Sequence, residues 1–104
     1  MQRAEVWWAD LPAPAGRRPV VLVSRERAIH VRDSVTIAQV TSTTRHIPTE
    51  VPLDSEDGLP RPCVVNCDVL QTIPKSLLSK RISLLSLSKR GALDLALAFA
   101  LGLD

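Results

Sequence analysis

Glycine is scarce in this chain, with four in 104 residues. None builds the glycine-rich phosphate loop or the nucleophile elbow on which many nucleotide-binding and hydrolase folds depend. No HExxH pattern occurs. Only two histidines are present, His30 and His46, both in polar segments where a surface position is the simpler reading. The two cysteines lie in "PCVVNCDVL". If that segment is a strand, four residues of rise separate the Cα atoms of Cys63 and Cys67 by roughly 13 Å, beyond disulfide reach. No histidine pair stands near them to complete a zinc site, so they read as reduced thiols, and no metal or cofactor is called for. A membrane segment is missing too. The opening "MQRAEVWWADLP" is charged at positions 3, 5 and 10, and the apolar run from Ala92 to Leu103 is broken by Asp94 and too short to span a bilayer. A cytoplasmic protein with no membrane partner is the expectation.

What is present is an ordinary globular composition, 45% apolar and 23% charged, on a chain long enough for one domain over residues 1–104. The net charge of +2 is too small to argue for nucleic acid by itself. The basic set is lopsided, with ten arginines and three lysines. That bias favours planar, bidentate contacts to phosphate or carboxylate, or else reflects a genome that prefers arginine codons.

Along the chain, "AEVWWADL" reads as a first strand over residues 4–11, stopped by Pro12 and Pro14. "RPVVLVS" is continuously apolar and β-branched, as in a central strand covered on both faces, with Pro19 tolerated only near its start. "RERAIHVRDS" alternates charges without a sustained period and reads as a long exposed loop. A third strand follows over about 35–43. "TEVPL" resembles a short strand, "DSEDGLPRP" a turn, and "CVVNCDVLQTI" a fifth strand with a bend. After Pro74 the sequence fits one helical turn and a further short strand. Ser86 is a plausible N-cap for a helix over about 87–101, in which Leu93, Leu97 and Leu101 recur every four residues. Five or six short strands and a terminal helix predict a mainly β (α+β) fold, a small open or closed barrel.

The chemistry on offer is a cation and a hydroxyl. Arg18 stands at a strand entrance, and Thr41, Ser42, Thr43 and Thr44 cluster at the end of another strand. A guanidinium fork can hold a phosphate and neutralise the extra charge of a five-coordinate phosphorane, while a hydroxyl donates a further hydrogen bond. The bland alternative is that Arg17 and Arg18 are solvated turn charges and the threonines simply good strand residues.

The opening "RAEVWWADLP" resembles the start of the MazF/PemK-like toxins, and "RRPVVLVS", "VTIAQVTS" and "TEVPLDSEDGLPRPCVVNCDVLQTI" are similar to successive blocks of that family, in order over essentially the whole chain. The resemblance implies an SH3-like barrel working as a homodimer. It implies the toxin of a type II toxin–antitoxin pair, an endoribonuclease that cuts single-stranded RNA without a metal ion by attack of the 2′-hydroxyl on the adjacent phosphorus. The family's catalytic arginine, directly before the proline of the second strand, falls on Arg18, and its catalytic threonine falls on Thr41. Further RNA contacts are expected from Arg17, Arg25, Ser42, Thr43, Asp68 and Gln71, with Ser42 on the opposite strand face from Thr41. A partner antitoxin would lay an acidic, apolar C-terminal segment over the active groove. Departures are the usual glycine replaced by Ala4, a shortened "PAPAG" loop, Arg25-Glu26 in place of Asn-Asp, and, in the fifth strand, Val69 for the usual Gln and Gln71 for the usual Arg or Lys. Two other readings compete: a non-catalytic SH3-like module that binds a peptide in the same groove, and a gyrase-binding toxin of the CcdB type.

Overall fold

A computed structural model describes residues 1–104. The apolar run after Arg18 decides the architecture, because its residues are buried alternately into two separate cores. Strand β2 (Arg17–Leu22) lies between β1 (Glu5–Asp10) and β3 (Ser34–Thr41). Val20 and Leu22 face one core while Val21 faces the other. A strand with both faces covered cannot show apolar–polar alternation, which is why "PVVLV" reads as an unbroken run. With β4 (Glu50–Leu53), β5 (Cys63–Pro74) and β6 (Leu78–Leu84), the sheet is wholly antiparallel in the order β4-β5-β3-β2-β1-β6. The predicted mainly β, SH3-like fold is the one observed, as an open half-barrel.

Its inner face gathers Val6, Val21, Ala38, Val40, Val51, Leu53 and Val65 under Leu93 and Ala96 of the terminal helix α2 (Leu87–Ala100). Ser86 caps this helix as expected, accepting from the Lys89 N–H at 3.2 Å. The buried stripe runs Leu93–Ala96–Leu97–Ala100 rather than through Leu101, which is 57% exposed beyond the last helical turn. Leu87, Leu95 and Phe99 form a second, exposed apolar side of the helix.

The outer face is where the sequence reading fails. The segment "RERAIHVRDS" is not a loop throughout, since Glu26–Val31 forms a short helix, α1. Its Ile29, 1% exposed, completes the second core with Ala9, Val20, Leu22, Val35, Ile37 and Ile73. Six residues carry too few apolar positions for helical periodicity to emerge, and only tertiary burial of Ala28 and Ile29 makes the turn worth forming.

The gap between the edge strands β4 and β6 is bridged by the 3-10 turn Ser55–Asp57. Ser83 donates its hydroxyl to the Asp57 carbonyl at 2.5 Å. Gly58 (φ +88°) seats this turn: a β-carbon there would stand 3.2 Å from both Ile82 and Ser83. Along the same edge strand the buried Glu5 carboxylate accepts from the Trp7 indole (3.0 Å), the Gln2 N–H (3.0 Å) and Arg81 (2.9 Å), tying β1 to β6. Burial raises the pKa of Glu5, but those three donors outweigh it and hold the group below its ordinary 4.5.

Candidate functional site

Strands β2 and β3 pair from Leu22↔Ile37 to Val20↔Gln39. Continuing that antiparallel register by two residues sets Arg18 opposite Thr41 on one face of the sheet. Both are half-buried, and they share a cleft of about 230 Å³ with Gln39, Thr43, Arg45, Asn66 and Val69. No carboxylate lines it. Two guanidiniums, two hydroxyls and two carboxamides make a cationic, donor-rich surface suited to a phosphodiester.

The cation is aimed by a relay of amides. Arg18 Nη1 donates to Gln39 Oε1 at 3.1 Å, and Gln39 Nε2 donates to Gln71 Oε1 at 2.9 Å. The buried Arg18 Nε has no partner within the protein. Nη1 is therefore used for positioning, and Nη2 is the donor left without a partner at the outer end of the fork. Thr41 Oγ1 accepts from the Thr43 N–H at 3.2 Å, which leaves the threonine proton free to be donated into the cleft. Strand β5 supplies the far wall through a bulge. Its register against β3 jumps from Ala38↔Leu70 to Gln39↔Asn66, so residues 67–69 have no opposite number and Val69 reaches the cleft.

The cleft thus brings together Arg18, Thr41 and Thr43 of the expected residues, with Gln71 one hydrogen bond behind. Others stand elsewhere. Arg17 points away and lies over the Trp8 ring, 4.8 Å from its centroid. Asp68 is turned aside in the bulge, where its carboxylate accepts from the Thr49 hydroxyl at 2.6 Å. Arg25 borders a separate cleft beside α1. Ser42 lies beyond the end of β3, so strand alternation no longer governs it. Together with Thr41 it borders a third hollow, about 220 Å³, which is mostly apolar and lined by Trp8, Pro19, Val40, Leu59, Pro60, Arg61 and Cys63. Thr41 is the rim between the apolar hollow and the cationic cleft. Gln39, Arg45 and Asn66 were missed in the sequence, and only Gln39, two positions before Thr41, had a signal that strand alternation could have read.

Neither thiol is a nucleophile at neutral pH. Burial, then the Asp68 charge, pushes Cys67 up to about 11, and burial with Asp57 and Asp54 raises Cys63. Both are free, as their spacing predicted. No cluster of three or more histidine, cysteine or carboxylate groups is placed to hold a metal ion, and no helix is long and apolar enough to cross a membrane.

Residues 2–101 match the family described as PemK-like, MazF-like toxin of type II toxin-antitoxin system. Over 87 residues, 84% of each chain, the sequence is 42% identical to endoribonuclease MazF3 of Mycobacterium tuberculosis strain H37Rv. The fold superimposes on Mycobacterium tuberculosis toxin MazF-mt6 with a TM-score of 0.88 and 39% identity, covering 96% of this chain and 98% of that one. It also matches a mycobacterial endoribonuclease in complex with its cognate antitoxin, with a TM-score of 0.90 and 30% identity over 100% of this chain and 97% of the other.

Proposed function

The chain belongs to the PemK-like, MazF-like toxin family, and from that premise we propose that residues 1–104 form a cytoplasmic toxin domain that cleaves single-stranded RNA in the Arg18–Thr41 cleft. The observation that carries the reading is the convergence of that guanidinium and that hydroxyl from the ends of two adjacent strands, in a cleft without a carboxylate. In the step assigned to it, the substrate's 2′-oxygen attacks the adjacent phosphorus and the bond from phosphorus to the 5′-oxygen breaks. The proton lost from the 2′-hydroxyl ends on the leaving 5′-oxygen, and the products carry a 2′,3′-cyclic phosphate and a 5′-hydroxyl. Arg18 neutralises the charge that grows on the phosphorane, and Thr41 donates to a non-bridging oxygen. Arg45 and Asn66 border the path of the flanking backbone.

The cognate antitoxin covers the same surface. A cationic cleft adjoining an apolar hollow suits a segment that alternates carboxylates with large apolar side chains, which would fold as it binds. The exposed Leu95 and Phe99 side of α2 supports the homodimer that the family implies. A peptide-binding module or a gyrase poison would have no use for an arginine aligned with a hydroxyl donor, and the family membership does not favour either.

The test is cleavage of single-stranded RNA by purified protein, with the new 5′ ends mapped. Wild-type protein should produce 5′-hydroxyl ends in EDTA as well as in its absence, and Arg18→Ala should lose at least about a hundredfold in rate with an unchanged melting temperature. Wild-type cleavage by the Arg18 variant would remove the assignment.

A further inference from the structure

Beside α1, at the opposite end of β2 from the catalytic cleft, lies another opening of about 300 Å³. Arg25 and Arg32 flank it, one at each end of the short helix, and Ser24, Ser34, Thr36 and Thr72 contribute hydroxyls. Neither guanidinium takes part in any of the molecule's four ion pairs, which join Arg3 to Asp94, His30 to Glu26, Arg81 to Glu5 and Lys89 to Asp57. Glu26 and Asp33, the carboxylates beside them in sequence, do not line the opening. Glu26 is engaged by the Arg3 N–H and by His30.

The hydroxyls are arranged as donors. Ser24 Oγ accepts from the Thr36 N–H at 2.8 Å, so its proton is free to point outward. Thr36 and Thr72 share one hydrogen bond at 2.7 Å, which uses one of their two protons and leaves the other. Ser34 has no side-chain partner, so a third proton remains. Two unpaired arginines with three spare hydroxyl donors and no acceptor charge among the lining residues form a surface that an anionic oxygen completes.

We propose that this opening is a second phosphate-binding site of the toxin, one that holds the RNA backbone away from the scissile bond. The proposal rests on the RNA-cleaving reading above. Six residues of strand rise separate Arg18 from Ser24, roughly 20 Å, so a dinucleotide in the catalytic cleft cannot reach Arg25 and Arg32 whereas a longer RNA spans the distance. The site supplies anchorage without reading bases, because its groups offer charge and hydroxyl donors to phosphate rather than a shaped pocket for a base edge.

Binding is measured in an Arg18→Ala background, so that RNA survives, with and without Arg25→Gln/Arg32→Gln. A single-stranded RNA long enough to span both clefts should bind about fivefold more weakly when both arginines are replaced. The slope of log affinity against log salt should fall by about 1.4, two phosphate contacts at about 0.7 each for a single strand. A dinucleotide should bind both proteins equally. An unchanged slope for the long RNA, or an equal loss of dinucleotide binding, would overturn the proposal. So would inorganic phosphate shifting the Thr36 and Thr72 resonances at concentrations as low as RNA does, since the site would then belong to a small phosphate ligand. Failure of wild-type protein to cleave any RNA is a separate outcome that overturns the catalytic reading, and with it the role in substrate anchorage.

Discussion

Gln39 gives the sharpest test of how this cleft works, because it is the sole hydrogen-bond partner of the Arg18 guanidinium within the protein. Replacing it by alanine leaves the guanidinium charged and in place but no longer aimed. A hydrogen bond to a charged group is worth about 1.5–3 kcal/mol. If that stabilisation is expressed fully when charge builds on phosphorus, kcat should fall by about 10- to 150-fold at about 1.4 kcal/mol per decade, with KM much less affected. Gln71 loses its partner as well, but it is only half-buried, so water replaces the bond and the melting temperature should move little. The assay is steady-state cleavage of a fluorogenic RNA, run as a cycle with Arg18→Ala. Because Gln39 acts through Arg18, Gln39→Ala should cost nothing further once Arg18 is gone. Gln39→Glu sharpens the comparison: it keeps the acceptor oxygen and the geometry but sets a carboxylate against the cation, so rate should fall without loss of aim. Wild-type kcat in a folded Gln39→Ala protein, or additive losses in the double variant, would refute the relay.

Two further expectations follow from the same geometry and from the sheet edge. Thr41→Val preserves shape but removes the donor, and should lower RNA cleavage by about a hundredfold, while Thr41→Ser should stay close to wild type in the same assay. Glu5 is held below its ordinary 4.5, so its contribution to stability is complete above that value and is lost as pH falls through the folded-state pKa. Thermal melts should therefore show a steep acid limb below pH 4.5 that is shallower in Glu5→Gln; equal limbs in the two proteins would mean that the Trp7, Gln2 and Arg81 contacts do not favour the ionised form.

The strands were legible because each is defined by local chemistry: β-branched runs bounded by proline, glycine and acidic turns. The arginine and threonine of the cleft were legible for a different reason, since they lie inside blocks whose order resembles a known family. What the sequence hid was set by contacts between distant segments. Helix α1 exists because Ile29 fills a core contributed by β1, β2, β3 and β5, none of which a six-residue window contains. Arg25 and Asp68 were expected among the RNA contacts, but that they stand apart from the Arg18–Thr41 cleft, one at a helix cap and one in a strand bulge, was not visible in the sequence. The replacement of a glycine by Ala4 was visible, but not its meaning. Ala4 adopts φ +70°, with its N–H bound to the Leu22 carbonyl and its carbonyl to the Leu85 N–H, so a β-carbon sits in a left-handed conformation at a cost of about 1–2 kcal/mol.

Pro19 connects these levels most directly. Along β2 the Val23 N–H bonds to the Thr36 carbonyl on β3, whereas the Leu22 carbonyl accepts from Ala4 on the β1 side. Backbone groups alternate in direction along a strand, so the nitrogens of Val23, Val21 and Pro19 all face β3. Proline has no proton to offer there, and the β2–β3 pairing ends at Val20↔Gln39 while β1 continues to pair through Pro19 and on to Arg17. The sheet is thereby unzipped on one side only, at the point where Arg18 and Thr41 would otherwise close against each other. The residue that fixes the strand entrance is thus also the one at which the β2–β3 ladder stops, and β1, still paired through Arg17, holds Arg18 in place beside that end. An arginine–proline step at the start of an interior strand thus sets a cation beside the end of a ladder, and the uncharged residues after it, Val20 and Leu22 in one core and Val21 in the other, anchor the strand that carries it.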